Sequence, residues 1–209
     1  MVTSVDRIAV FGISRSGKDY TIDGAVDILT SVGRRYSHLS MIGTVHQLLN
    51  GRKLSEMSEN DKLALMNKVH QEMDSAAVLC SVIVDEHYCF PGTYGRRIIH
   101  TGYTDEKLPF KEFYDEELET PYEIVFDQEE LRKYRAVAYL DIDPSVILER
   151  FRTSEGCKRN ELITLEDVKN WILFERTSLQ MLCRMYKVPF KTLRDPAKTS
   201  EELAKFIME

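Results

Sequence analysis

Apolar residues along the chain fall into short β-rich runs separated by stretches with helical spacing, and that alternation predicts the architecture. "RIAVFGI" (Arg7 to Ile13) is β-branched and aromatic and carries a glycine near its end, so it reads as a strand. It is followed by "KDYTIDGAVDILTSVG", where Ile22, Val26 and Leu29 recur at the period of a helix. "YSHLSMIG" (Tyr36 to Gly43) predicts a second strand, and "TVHQLLN" a short helix closed at Asn50-Gly51. Ser58 with Asp61 resembles a capping box that opens a helix from about Glu59 to Ala77. "VLCSVIVDEH" (Val78 to His87) is an apolar run ending in charge, as expected of a buried parallel strand whose C-terminal end faces a site.

"RAVAYLDID" (Arg135 to Asp143) predicts a further buried strand, and Pro144 suits the first turn of the helix "PSVILERFR". A long helix follows in "TLEDVKNWILFERTSLQMLCRMYK", with an apolar stripe through Val168, Trp171, Ile172, Leu179, Leu182 and Met185. "VPFKTL" and "SEELAKFIM" add a last strand and helix. Five strands separated by helices predict an α/β fold of three layers around a parallel five-stranded sheet. Two intervals break the pattern. Residues 90–126 are polar and turn-rich, with "PGTYGRRIIHTGY" suggesting an irregular hairpin and "LPFKEFYDEEL" a short helix, and residues 154–163 form a basic-centred break.

Composition narrows the function classes. The 209 residues suit one domain, and 43% hydrophobic with 30% charged residues is the balance of a soluble globular chain. The formal charge of -6 offers no general attraction to duplex nucleic acid, so any phosphate site must be local. Cys80, Cys89, Cys157 and Cys183 form no C-x-x-C pair, which argues against structural zinc and for a reducing, cytoplasmic setting. Asp6 precedes the first apolar run, unlike the basic start of a signal peptide, and no apolar run is long enough to span a membrane.

Candidate chemistry begins at "GISRSGKDYT". Gly12, Gly17 and Lys18 give the spacing G-x-x-x-x-G-K between a predicted strand and a predicted helix, the context of a nucleoside-triphosphate phosphate loop in a P-loop NTPase fold. Backbone N–H groups of Gly12, Ser14, Arg15, Ser16 and Gly17 would converge on phosphate oxygens, the helix N-terminus through Asp19 and Tyr20 adds partial positive charge, and Lys18 adds a point charge. ATP with Mg2+ is the expected ligand pair. Asp19 stands where this loop ordinarily has Ser or Thr, whose hydroxyl would bind magnesium. A carboxylate also holds a hard cation and suits a helix N-terminus, so Asp19 reads either as a variant metal position, with Ser16 and Thr21 as neighbouring hydroxyls, or as a helix cap. Phosphate loops ending in "SGKD" resemble those of some nucleotide and small-metabolite kinases.

At the end of the third strand, Asp85 is the candidate for coordinating magnesium or its water, and His87 for positioning substrate or for a structural hydrogen bond. Arg150, Arg152, Lys158, Arg159 and Arg176 fall in three consecutive elements and suggest a lid at about 152–164 that brings cations to a transferring phosphoryl group. The order "GTV" after the second strand, "VIVDEH" at the third, an arginine-bearing lid and "ED" before a helix with "ER" is similar to archaeal-type adenylate kinases, among the P-loop nucleoside monophosphate kinases. This resemblance implies ATP-phosphate binding over Gly12 to Asp19, an acceptor region at about 40–77 with Gly43, Thr44 and Arg52, a strand-end acid at Asp85, and phosphate contacts from Arg152, Arg159 and Arg176. The chain departs from that pattern in having few basic residues in "NGRKLSEMSEND" and an inserted segment at 90–126, where Arg96 and Arg97 are further acceptor candidates. The expectation is therefore a single kinase domain over 1–209, monomeric or homodimeric, that transfers the γ-phosphoryl group of ATP to a small phosphorylated acceptor such as AMP. A kinase of another metabolite and a nucleotide-dependent switch or assembly ATPase are the alternatives.

Overall fold

Burial on both faces explains why the short apolar runs become parallel strands: every residue of β1 (Arg7–Phe11) and of β6 (Ala136–Leu140) is buried. The computed structural model describes residues 5–52, 57–91, 122–124, 126–153 and 163–209. With β2 (Tyr36–Ser40), β3 (Ser81–Glu86) and β7 (Phe190–Leu193) these strands form a five-stranded sheet of order β2-β3-β1-β6-β7, in which every pair is parallel. Such a sheet needs helical crossovers, and the periodic segments supply them.

On one face α1 (Lys18–Ser31) packs against α6 (Thr199–Met208). On the other lie α3 (Glu59–Leu79) and α5 (Leu165–Tyr186), with α2 (Met41–Leu49) against α3 and α4 (Pro144–Thr153) against α5. Tyr139 marks the second face, since its hydroxyl reaches Glu175 and the Ile172 carbonyl of α5. The helix starts follow their caps: Ser58 Oγ accepts from Asp61 N at α3, and Thr164 forms a reciprocal capping box with Asp167 at α5.

The structure departs from the sequence expectation in several places. The second strand stops at Ser40 instead of continuing to Gly43, because Ser40 Oγ accepts from Gly43 N and so caps a helix that begins at Met41. Met185 leaves the buried stripe of α5 and is 41% exposed, while Glu175, an acid in line with Ile172 and Leu179, is fully buried in it. The two ends of the expected insertion are paired: β4 (Cys89–Pro91) and β5 (Tyr122–Ile124) form an antiparallel ladder with Cys89 opposite Ile124. A 3-10 helix, Gln128–Lys133, then leads into β6. The hairpin and short helix expected between 92 and 121, and most of the expected lid, lie outside the described residues.

Candidate active site

Parallel order aligns the C-terminal ends of β1, β2, β3 and β6, and the glycine loop leaves the sheet at that edge. Two glycines are required there by space and by conformation. A Cβ on Gly12 would lie 2.7 Å from Ser16 Oγ and 3.2 Å from Leu140 Cβ, and Gly17, which precedes α1, holds a left-handed φ of 97°. Arg15 is also left-handed, with φ 68°, so the loop turns its backbone tightly before the helix begins. Arg150 of α4 fastens the loop from outside, its Nη1 donating to the carbonyls of Arg15 and Ser16 at 3.0 Å each.

The loop forms one wall of an open cavity of about 970 Å³. Residues Ser14 through Thr21 line it with Ser40, Asp85, His87 and Arg150. Lys18 is almost fully buried, and its Nζ donates to the Gly12 carbonyl at 2.6 Å and lies 3.4 Å from His87 Nε2. Burial lowers the Lys18 pKa against the opposing pull of Glu175 and Asp85. His87 is buried as well, and burial next to the Lys18 charge holds its pKa well below the ordinary imidazole range. The ring is therefore neutral at pH 7 and can accept from Lys18.

Asp85 projects from the end of β3, level with Ser40 of β2 and Val10 of β1. Its Oδ1 accepts from Met41 N at 2.7 Å, and burial raises its pKa while Lys18 pulls it down. Ser16 Oγ is buried beside the loop and finds no hydrogen-bond partner among the described residues. Asp19 is largely exposed at the first turn of α1, 3.7 Å from His38 Nε2. Thr21 is committed elsewhere: its hydroxyl lies 2.9 Å from that of Thr199, joining α1 to α6. Asp19, Asp85 and Ser16 all line the cavity and bring oxygen atoms, the donor type a hard divalent cation takes.

The structure brings together Gly12, Ser14, Arg15, Ser16, Gly17, Lys18, Asp19, Tyr20, Asp85 and His87 of the residues singled out in the sequence. Others stand apart from this cavity. Gly43 and Thr44 are engaged in the first turn of α2, where both bond to Ser40. Arg52 donates to the Leu49 carbonyl at the end of the same helix, and Arg152 is exposed on α4. Arg176 is held by Asp141 Oδ2 at 2.5 Å, an oxygen that also accepts from Arg194. Arg96, Arg97 and Arg159 lie outside the described residues. Three residues went unnoticed in the sequence: His38, which shares a strand face with Ser40; Glu175, whose place in an apolar stripe was its signal; and Glu86, hidden behind Asp85.

No protein-family model matches the chain, and no curated protein sequence matches it. Solved structures do. Shikimate kinase from Acinetobacter baumannii in complex with shikimate is similar with a TM-score of 0.53 at 15% identity, over 98% of this chain and 92% of that one. Shikimate kinase from Bacteroides thetaiotaomicron gives 0.52 at 12% identity, over 98% of this chain and 99% of that one. The chain has the fold of these kinases, α/β with a five-stranded parallel sheet. The likeness covers the sheet and its helices nearly end to end, and at these identities it speaks for architecture alone. Among the described residues no helix is long and apolar enough to cross a membrane.

Proposed function

We propose that the protein is a small-molecule kinase that moves the γ-phosphoryl group of ATP, in the presence of Mg2+, to an acceptor held in the cavity below the glycine loop. The observation that carries this reading is the buried Lys18 ammonium, held by the Gly12 carbonyl at the root of the loop and opening onto the same cavity as Asp85. Burial of an ammonium is costly unless something compensates it, and a polyphosphate does so. Loop amides and Lys18 bind the phosphates, and Arg150 keeps the loop in its binding shape. Asp19, Asp85 and the Ser16 hydroxyl are the residues that would hold Mg2+. Once bound, that ion offsets charge on the phosphate oxygens. Neutral His87 accepts from Lys18 and keeps its ammonium aimed along the loop.

For the acceptor, the order of motifs suggests a nucleoside monophosphate, with Arg152, Arg159 and Arg176 closing on the phosphates. The positions of Gly43, Thr44 and Arg52 favour a second reading, a different small metabolite, because none of the three lines the cavity. In that case the segment bearing Arg96 and Arg97 would choose the acceptor.

The test is ADP formation from MgATP, measured with AMP, CMP, UMP, GMP, the deoxynucleotides and a panel of hydroxylated metabolites, shikimate and simple sugars included, against a blank without acceptor. Stimulation of roughly 100-fold or more by one acceptor, with its phosphorylated product formed, is the expected outcome. A nucleotide winner supports the first acceptor reading and a non-nucleotide winner the second. ATP loss that no acceptor accelerates would sink the kinase reading in favour of a switch or assembly ATPase.

A further inference from the structure

Asp19 and Asp23 stand four residues apart on α1 and therefore share one side of the helix, the side that meets His38 of β2. His38 Nδ1 lies 2.8 Å from Asp23 Oδ1. A carboxylate only accepts, so Nδ1 carries the proton of that bond, and in the neutral ring the lone pair sits on Nε2. Nε2 is enclosed, has no hydrogen-bond partner among the described residues, and is 3.7 Å from Asp19 Oδ1. Parallel register completes the set. His38 and Ser40 share one face of β2, Ser40 is level with Asp85, and so the Asp85 carboxylate rises from the next strand on the same face. The His38 nitrogen and one oxygen each from Asp19 and Asp85 lie within 4.8 Å of one another.

Two carboxylates gathered beside Nε2 repel each other until a cation joins them. An imidazole oriented by a carboxylate on its other nitrogen is how metal-ligating histidines are usually held, and Met41 N fixes the Asp85 carboxylate in the same way. The chemistry also selects the ion. Magnesium takes oxygen ligands and gives up water reluctantly, whereas imidazole favours divalent ions of the first transition row. We propose that Asp19, His38 and Asp85 form a site for a first-row transition dication that fills before nucleotide arrives. It would account for aspartate at position 19, where a hydroxyl would leave Asp85 as the one carboxylate grouped with Nε2. The use of this ion in phosphoryl transfer rests on the kinase reading above, whereas its binding is measured without nucleotide.

Metal-free wild-type protein would be titrated with Co2+, followed by visible absorption, and with Mn2+, followed by loss of the free-ion EPR signal, each with and without Mg2+ as competitor. The expected result is one Co2+ per chain, bound at least roughly tenfold more tightly than Mg2+. His38→Gln should remove that preference, and Asp23→Asn, which acts through His38, should weaken Co2+ binding by roughly tenfold. Pulsed EPR of Mn2+ on the wild-type protein should show nitrogen modulation from the imidazole, a readout that needs no variant to fold. Equal affinity for Co2+ and Mg2+, absence of nitrogen modulation, or His38→Gln protein that keeps its thermal transition and binds Co2+ like the wild type would each overturn the site. The acceptor panel runs in parallel with Mg2+. Acceptor-stimulated turnover without Co2+ binding removes only the metal site, and Co2+ binding without stimulated turnover removes only the kinase reading.

Discussion

Asp85 and Glu86 are adjacent on β3, both are buried, and strand geometry sends them to opposite faces of the sheet. Asp85 faces α1 and the cavity, where Lys18 is next to neutral His87 and the Ser16 hydroxyl has no hydrogen-bond partner among the described residues, as is true of His38 Nε2 beside α1. Glu86 faces a cluster sealed on its inner side by Arg7, Tyr134 and Glu130, with Asp74 and Lys133 partly exposed at its rim. Its carboxyl accepts from Tyr134 Oη, Arg7 reaches Tyr134 Oη at 3.2 Å and Asp74 at 2.5 Å, and Lys133 bridges Asp74 and Glu130 at 2.8 Å each. The Arg7 guanidinium also lies over the Tyr134 ring, 4.6 Å from its centre. The contrast lies in charge pairing: Arg7 and Lys133 meet carboxylates at short range, even though Arg7 Nε, Glu86 Oε2 and Glu130 Oε2 find no hydrogen-bond partner among the described residues, whereas Lys18 meets a carbonyl and an imidazole at the cavity wall.

Lys18→Met should break the open side hardest. It removes the cation that meets the phosphates and replaces a buried ammonium, whose pKa is already lowered by burial, with an apolar chain of similar length. Turnover with the acceptor found in the panel should fall about 1000-fold, equivalent to about 4 kcal/mol, while the thermal transition holds or rises. Retained turnover would show that Lys18 is structural. A collapse in stability would place it with the sealed cluster.

Arg7→Met should do the reverse. Glu130 and Asp74 would lose their shared cation and Tyr134 Oη a donor, and breaking a buried pair from one side costs about 3 kcal/mol. Urea unfolding should register that loss. The molecules that remain folded should bind ATP like the wild type, because Arg7 lies at the start of β1, away from the loop that follows the strand's other end. A variant of undiminished stability would mean that the network contributes nothing net.

The sheet was legible in the sequence because parallel strands buried on both faces must be continuous apolar runs, as "RIAVF" and "AVAYL" are. The phosphate loop was legible for a related reason: its glycines and lysine are fixed by close approach and charge, which leave a pattern of spacing. Pairings set by tertiary register left no such trace. His38 became visible only when α1 was laid across β2, and Arg150, already one of the basic set, showed its hold on the loop carbonyls only when α4 was placed against the loop. Arg176 also has a partner that the sequence hides. In a list of basic residues it resembles a lid cation, yet Asp141 at the end of β6 already accepts its Nη1, a bond that sequence distance conceals. β5 had a faint signal in the alternation of Tyr122 and Ile124, too short to stand out until β4 paired with it.

Glu86→Gln would sharpen the comparison most finely, because it changes the sealed side by a single proton. Burial pushes the Glu86 carboxyl up to about 8, against the Tyr134 hydrogen bond and the Arg7 charge that favour its ionised form. The folded protein therefore keeps a proton that the unfolded chain releases near the ordinary glutamate value of about 4.3. Stability from this group is complete at acid pH and declines as pH rises toward about 8, with a slope of at most about 1.4 kcal/mol per pH unit. Glu175, also buried and raised to about 7, adds a decline of the same sign, so the wild-type profile alone cannot assign either carboxyl. The difference between wild-type and Glu86→Gln profiles can, since the amide keeps an acceptor for Tyr134 and has nothing to titrate. Urea unfolding at intervals from about pH 5 to about pH 8 should show the two profiles separating, with the variant losing less stability as the pH rises. Parallel profiles would mean that Glu86 is already ionised in the fold and that Arg7 answers three carboxylates, in which case the sealed side would be as electrostatically loaded as the open one.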